Sequence, residues 1–181
     1  RVLMTGAGYM GLLNVQGLAH CPLAELVVAD INPRKLKLAK AFGATETIQV
    51  GTPAGDARME ELKGNPFDLV IEASGALPPL QKAGLLTRRG GRLSVFSWHH
   101  GPREVDFGVW HMRGLKVLNS APLIAIDHNV QHNLRAVRLI EKGTFDQTKL
   151  ITHRHKFEDV QKALEAGAAR KDDYVKGVLL F

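Results

Sequence analysis

The sequence has 181 residues, of which 45% are hydrophobic and 23% charged, enough for one globular domain with a sizeable core and room for a small appendage. No apolar run is long enough to span a bilayer, the start at Arg1 does not read as a signal peptide, and the lone Cys21 leaves no disulfide framework or cysteine metal site within the chain; together these predict a cytoplasmic protein with no membrane partner. The net charge is +6, but the basic residues are dispersed and aromatics are only 6%, so the expectation is solvated helix faces and some positive potential near an anionic cofactor, not a nucleic-acid surface.

Residues 2–5 (Val-Leu-Met-Thr) read as a short buried strand that starts abruptly, which predicts further chain upstream. A glycine-rich turn, Gly6-Ala7-Gly8-Tyr9-Met10-Gly11, leads into a helix reaching about His20, where Cys21-Pro22 ends it. Residues 25–29 form a second strand closed by Asp30, and Pro33 opens a helix that stops at Gly43. The alternation continues with a strand at 47–50, a short helix at 57–63, a strand at 67–73, a helix at 78–87 and a strand at 92–96. Residues 104–107 read as a short strand or extended edge, and 115–119 as a sixth strand of the main run. Asp127 is placed to cap a helix running to Lys142, with Val130, Leu134, Val137 and Ile140 on its apolar face. In the tail, 151–153 is extended, 157–169 is a helix with Val160, Ala163, Leu164 and Gly167 inward, and 176–181 is a last strand. Near-continuous apolar strands alternating with amphipathic helices predict an α/β fold: a doubly wound parallel sheet of about six strands with helices on both faces. The expected division is 1–146 for that domain and 147–181 for the tail.

A G-x-G-x-x-G run alone is weak, but here it follows a strand, opens a helix, and is succeeded by an acid, Asp30, at the end of the second strand. Gly6 permits the tight turn, Gly8 lets amides approach a pyrophosphate, and Gly11 lets the helix pack closely. The helix N-terminus offers N–H groups and a positive dipole end to phosphates. Asp30 can accept hydrogen bonds from both adenosine ribose hydroxyls and would repel a 2′-phosphate, so NAD is expected over NADP, with the nearby Lys35 softening that repulsion. This is the Rossmann dinucleotide-binding pattern.

The stretches VLMTGAGYMGLL, VVADINPRKLKLAKAFGATETI, FDLVIEASG, GGRLSVF, ITHRHKFEDVQKALEAG and VKGVLLF follow one another over nearly the whole chain. In that order they resemble the medium-chain dehydrogenase/reductases of the zinc-type alcohol and polyol dehydrogenase group, specifically their C-terminal NAD-binding half. The resemblance implies that Gly6, Gly8, Tyr9, Met10 and Gly11 wrap the diphosphate, and that Asp30 and Lys35 lie at the adenosine ribose. It implies that Ala73 and Ser74 flank the cofactor, that Phe96, Ser97 and Trp98 lie beside the nicotinamide, that Asn119 and Ser120 end near the same ring, and that Lys176 contacts the diphosphate. It implies a homodimer or tetramer joined through the sheet edge around residues 104–107, which includes Glu104 and Phe107. The family's barrel-like, GroES-like catalytic domain, with the zinc ligands and proton relay, would precede the first strand, and the tail would pack back on it. No catalytic residue and no metal ligand is therefore expected in this chain, which alone would be inactive. The implied activity of the whole is NAD-dependent hydride transfer from a small secondary alcohol or polyol.

Two other functions fit parts of the pattern: a non-catalytic dinucleotide-binding or sensing module, and an S-adenosylmethionine-dependent methyltransferase, whose loop usually runs Gly-x-Gly-x-Gly. His128 and His132 share a helix face without a third ligand nearby, and His153 and His155 share one face of an extended segment; both pairs read as solvated surface. His99-His100 lies at the carboxyl ends of the strands, where a ligand role and a polar loop are equally open.

Overall fold

The structure, a computed structural model, describes residues 1–120, 129–169, 171 and 173–181. Contacts divide the chain into two compact units, Arg1–Ile124 and Ala125–Phe181, each described by itself. The first contains strands β1 (Val2–Thr5), β2 (Leu26–Asp30), β3 (Glu46–Gln49), β4 (Phe67–Glu72), β5 (Thr87–Val95) and β6 (Lys116–Asn119). Between them run helices α1 (Tyr9–Ala19), α2 (Pro33–Ala41), α3 (Pro53–Glu61), α4 (Leu77–Leu86) and α5 (Phe107–Met112).

The six strands form one sheet in the order β3-β2-β1-β4-β5-β6, with every neighbouring pair parallel. Successive side chains of a strand point to opposite faces, yet all four residues of β1 and the first four of β2 are buried, so both faces of the sheet centre are covered. Phe67, Leu3, Val27, Val70 and Leu93 fill the core on one side with Leu86 of α4 and Met59 of α3. The helices start where their caps dictate. Asn32 accepts from the amides of Arg34 and Lys35 with Pro33 in the first turn, and Thr52 accepts from Gly55 with Pro53 behind it. That Thr52 cap is why α3 begins four residues before the start expected from the apolar pattern.

Residues 104–107 do not form a strand. The sheet ends at β6, and Asp106 accepts from the Val109 amide and caps α5, so the chain enters a helix at Phe107. This helix escaped the periodicity because it is only six residues long.

The second unit contains α6 (Asn129–Glu141), β7 (Ile151–Lys156), α7 (Val160–Ala169) and β8 (Lys176–Leu180), with β7 and β8 paired in parallel. Asp127, His128 and the side chain of Val130 lie outside the described residues. Leu134, Val137 and Ile140 of α6 are exposed, and so are Val160 and Leu164 of α7, which the helical spacing had placed inward. A two-stranded sheet gives this unit too little apolar surface to cover both stripes. The boundary expected at 146 and 147 falls inside this unit.

Candidate cofactor site

Chain order reverses between β1 and β4, and in open parallel sheets ligands lie outside the carboxyl ends of the strands at that reversal. Thr5 and Glu72 are register partners there, so the turns leaving the two strands run side by side. Gly6 adopts φ +99°, and a Cβ on it would lie 2.6 Å from the Ser74 amide nitrogen. A Cβ on Gly11 would lie 2.1 Å from the Gly6 carbonyl oxygen, so α1 packs onto its own entry turn at a distance only glycine allows. Gly8 differs. A Cβ there would meet nothing within 4 Å, and Gly8 is the N-cap of α1 with no side chain bonded to the cap. The result is open space in front of a helix N-terminus that no side chain caps, with Tyr9 and Met10 in the first turn, an arrangement that fits a diphosphate.

Asp30 ends β2 beside this turn. Its Oδ2 accepts from the Ala7 amide at 2.6 Å and its Oδ1 from the Asn32 amide at 2.8 Å. The carboxylate therefore faces the glycine turn. Lys35, half-buried, sits in the first turn of α2, where its amide bonds Asn32 Oδ1 at 3.2 Å.

Glu72 was not expected from sequence. It is fully buried at the end of β4. Oε1 accepts from the amides of Ser74 (2.8 Å) and Gly75 (3.1 Å) and from Ser74 Oγ. Oε2 accepts from Ser97 Oγ and from His99 Nε2 at 2.8 Å. An ionisable side chain at the end of a strand as apolar as Leu69-Val70-Ile71 is the signal that could have found it, since buried acids require partners.

The turn after β5 carries Phe96, Ser97 and Trp98. The amides of Phe96 and Ser97 donate to the Glu72 carbonyl, and Trp98 is exposed. Asn119 ends β6. Ser120 follows, its amide donating to the Val95 carbonyl and its hydroxyl 2.6 Å from Ser94 Oγ. A cleft of about 460 Å³ opens here, walled by Val95, Val105, Trp110 and Val117 with His99 and Arg103. Thus Gly6, Gly8, Ala73, Ser74, Phe96 and Ser97 occupy neighbouring carboxyl-terminal turns of one sheet, with Gly11 in the first turn of α1 and Asp30 at the end of β2. Lys176 opens β8 in the second unit and is placed only within that unit. His99 binds Glu72, while His100 Nδ1 accepts from Trp98 Nε1 at 3.0 Å. His153 and His155 stack with ring centroids 6.4 Å apart. No group of three histidine, cysteine or acidic residues among the described residues could hold a metal ion, and no helix there is long and apolar enough to cross a membrane.

The chain is 26% identical over 180 residues to an uncharacterized zinc-type alcohol dehydrogenase-like protein of Escherichia coli K12, covering 99% of this chain and 50% of that protein. Among solved structures it resembles L-idonate 5-dehydrogenase of E. coli with a TM-score of 0.84 at 24% identity, covering 100% of this chain and 50% of that one. It also resembles a short chain alcohol dehydrogenase of E. coli CFT073 complexed with NADH, with a TM-score of 0.82 at 26% identity, covering 99% of this chain and 52% of that one. The chain spans about half the length of the curated relatives it matches. Residues 10–128, well over half of the chain, match the zinc-binding dehydrogenase family, and the chain belongs to that family.

Proposed function

We propose that this chain is the NAD-binding half of a dehydrogenase that moves a hydride between a small secondary alcohol or polyol and nicotinamide. The observation that carries the proposal is the open cradle at Gly8 before the uncapped α1 N-terminus, with the Asp30 carboxylate beside it. Amides of the first turn of α1 and its positive dipole end neutralise the diphosphate. Asp30 takes the ribose hydroxyls with its remaining lone pairs and disfavours a 2′-phosphate, so NAD is preferred, while Lys35 limits that preference. The turns at 73–74 and 96–98, with Asn119 and Ser120, orient the nicotinamide and shield it from water. When bound, the dinucleotide supplies the hydride acceptor; the protein supplies position and field.

The described residues do not fit a zinc site, so zinc and the proton relay belong, in this proposal, to chain outside these residues, and the tail from 147 onward returns to that part. Assembly into a homodimer or tetramer near Glu104 and Phe107 is supported by the neighbouring edge strand β6, which among the described residues pairs on one side only and exposes Val117 and Leu118. The single cysteine supports a cytoplasmic location.

The test is titration of the intact protein with NADH, NADPH and S-adenosylmethionine. Saturable enhancement of NADH fluorescence at micromolar concentration, weaker with NADPH, is the expected result. Tight S-adenosylmethionine binding without any NADH response overturns the proposal.

A further inference from the structure

We infer that His99 is a positioning residue for the nicotinamide end of the cofactor site, acting through the buried Glu72 carboxylate; the inference rests on the dinucleotide reading above. Glu72 joins the turns that leave β4 and β5. Its carbonyl accepts from the Phe96 amide at 2.9 Å and the Ser97 amide at 3.0 Å. Its two carboxylate oxygens divide the rest. Every donor to Oε1 comes from the β4 turn, namely the Ser74 and Gly75 amides and Ser74 Oγ. Both donors to Oε2 come from the β5 turn, namely Ser97 Oγ and His99 Nε2. A carboxylate with no solvent contact is tolerated only when its lone pairs are used, so each donor is under demand.

His99 is held from one side. Its side chain is 10% exposed, Nε2 lies 2.8 Å from Glu72 Oε2 and 3.1 Å from Ser97 Oγ, and Nδ1 is buried with no partner among the described residues. The imidazole therefore folds the chain back over Ser97 and closes the 96–99 turn onto β4. Neighbouring His100 does not share the task, because its Nδ1 is engaged with the Trp98 indole at the exposed side of the loop. Removing the imidazole takes one of the two donors from Oε2 and loosens the 98–99 end of the turn, which the Phe96 and Ser97 amides do not hold, while the three donors on Oε1 keep the 73–75 turn in place. The adenosine end is carried on other elements, by Gly8 before α1 and Asp30 on β2, and stays as it is.

The experiment compares His99→Ala and His99→Gln in the intact protein by calorimetry with two ligands, NADH and ADP-ribose, the latter lacking the nicotinamide. His99→Ala is expected to raise the NADH dissociation constant about tenfold and to change that for ADP-ribose by less than roughly twofold. His99→Gln, whose amide nitrogen reaches a similar position and donates an N–H, is expected to restore most of the NADH affinity. An unchanged NADH constant in His99→Ala, an equal loss for both ligands, or a His99→Gln variant as weak as His99→Ala overturns the inference and leaves the dinucleotide reading standing. Failure of the unmutated protein to bind either ligand overturns both.

Discussion

The Asp30 carboxylate and the Ala7 amide are joined by a 2.6 Å hydrogen bond that fixes the end of β2 to the glycine turn after β1. The same oxygen pair also takes the Asn32 amide, so Asp30 sets the local backbone before any ligand arrives. Two consequences separate in Asp30→Ala. In the proposed site, loss of charge-assisted hydrogen bonds to the ribose is expected to remove about 1.5–3 kcal/mol, roughly ten- to a hundredfold in the NAD dissociation constant. Loss of the negative charge also narrows the preference for NAD over NADP. Calorimetry with both cofactors checks this, and equal constants for the variant and the unmutated protein with either cofactor would show that the ribose lies elsewhere.

Two of the motif glycines, Gly11 and Gly8, respond differently to alanine. At Gly11 the new methyl group would lie 2.1 Å from a backbone oxygen, which cannot yield as a side-chain tip can. Overpacking of that kind costs about 1–3 kcal/mol, occasionally more, so Gly11→Ala lowers the unfolding midpoint. At Gly8 the methyl group meets open space, and the N-cap backbone (φ −67°, ψ −177°) suits alanine. Gly8→Ala therefore costs no more than about 1 kcal/mol of stability while entering the space proposed for the diphosphate. Urea unfolding beside NADH titration should show Gly8→Ala folded but poor at binding. A variant that binds NADH normally would remove the cradle from the account.

Glu72→Gln keeps shape and changes chemistry. Five donors converge on the carboxylate, and a carboxamide would turn two hydrogens toward some of them. Buried donors left without acceptors cost about 1–3 kcal/mol. Denaturant unfolding near neutral pH is the measurement, and a midpoint equal to that of the unmutated protein would mean that the network is not satisfied as described.

The sheet and the glycine turn were legible in the sequence because local signals and tertiary demands agree there. Val2 to Thr5 are apolar or β-branched and all buried, and Asn32-Pro33 and Asp30 stand where capping and strand-end chemistry put them. Glu72 was hidden because its meaning depends on donors 25 and 27 residues away, Ser97 and His99, and no periodicity links such positions. Residues 104–107 misled for a related reason. Their composition suits an extended edge, but Asp106 accepts from the Val109 amide and starts a helix, a local bond that alternation does not report. The helical spacing shows the apolar stripes of α6 and α7 as stripes; whether a stripe is covered is decided by what lies opposite, which pattern alone does not carry.

Arg58 of α3 grips Glu46 of β3 with two parallel bonds, Nε to Oε1 at 2.8 Å and Nη2 to Oε2 at 3.1 Å, and reaches Glu61 at 3.1 Å as well. The guanidinium hydrogen bonds hold the Glu46 carboxyl below the usual glutamate range, against an opposing effect of partial burial. A carboxyl whose pKa is depressed on folding contributes stability above its unfolded value and loses it as pH falls through the folded one. Arg58→Ala should return the Glu46 titration midpoint upward toward that of an ordinary glutamate, observed by carboxyl carbon NMR. It should also destabilise the protein near neutral pH and approach the unmutated protein as acidification protonates the Glu46 carboxyl. Arg58→Lys keeps the charge without the planar fork and should fall between the two. A stability difference that grows on acidification would have the wrong sign for this pair and would assign the effect of Arg58 to its packing on α3.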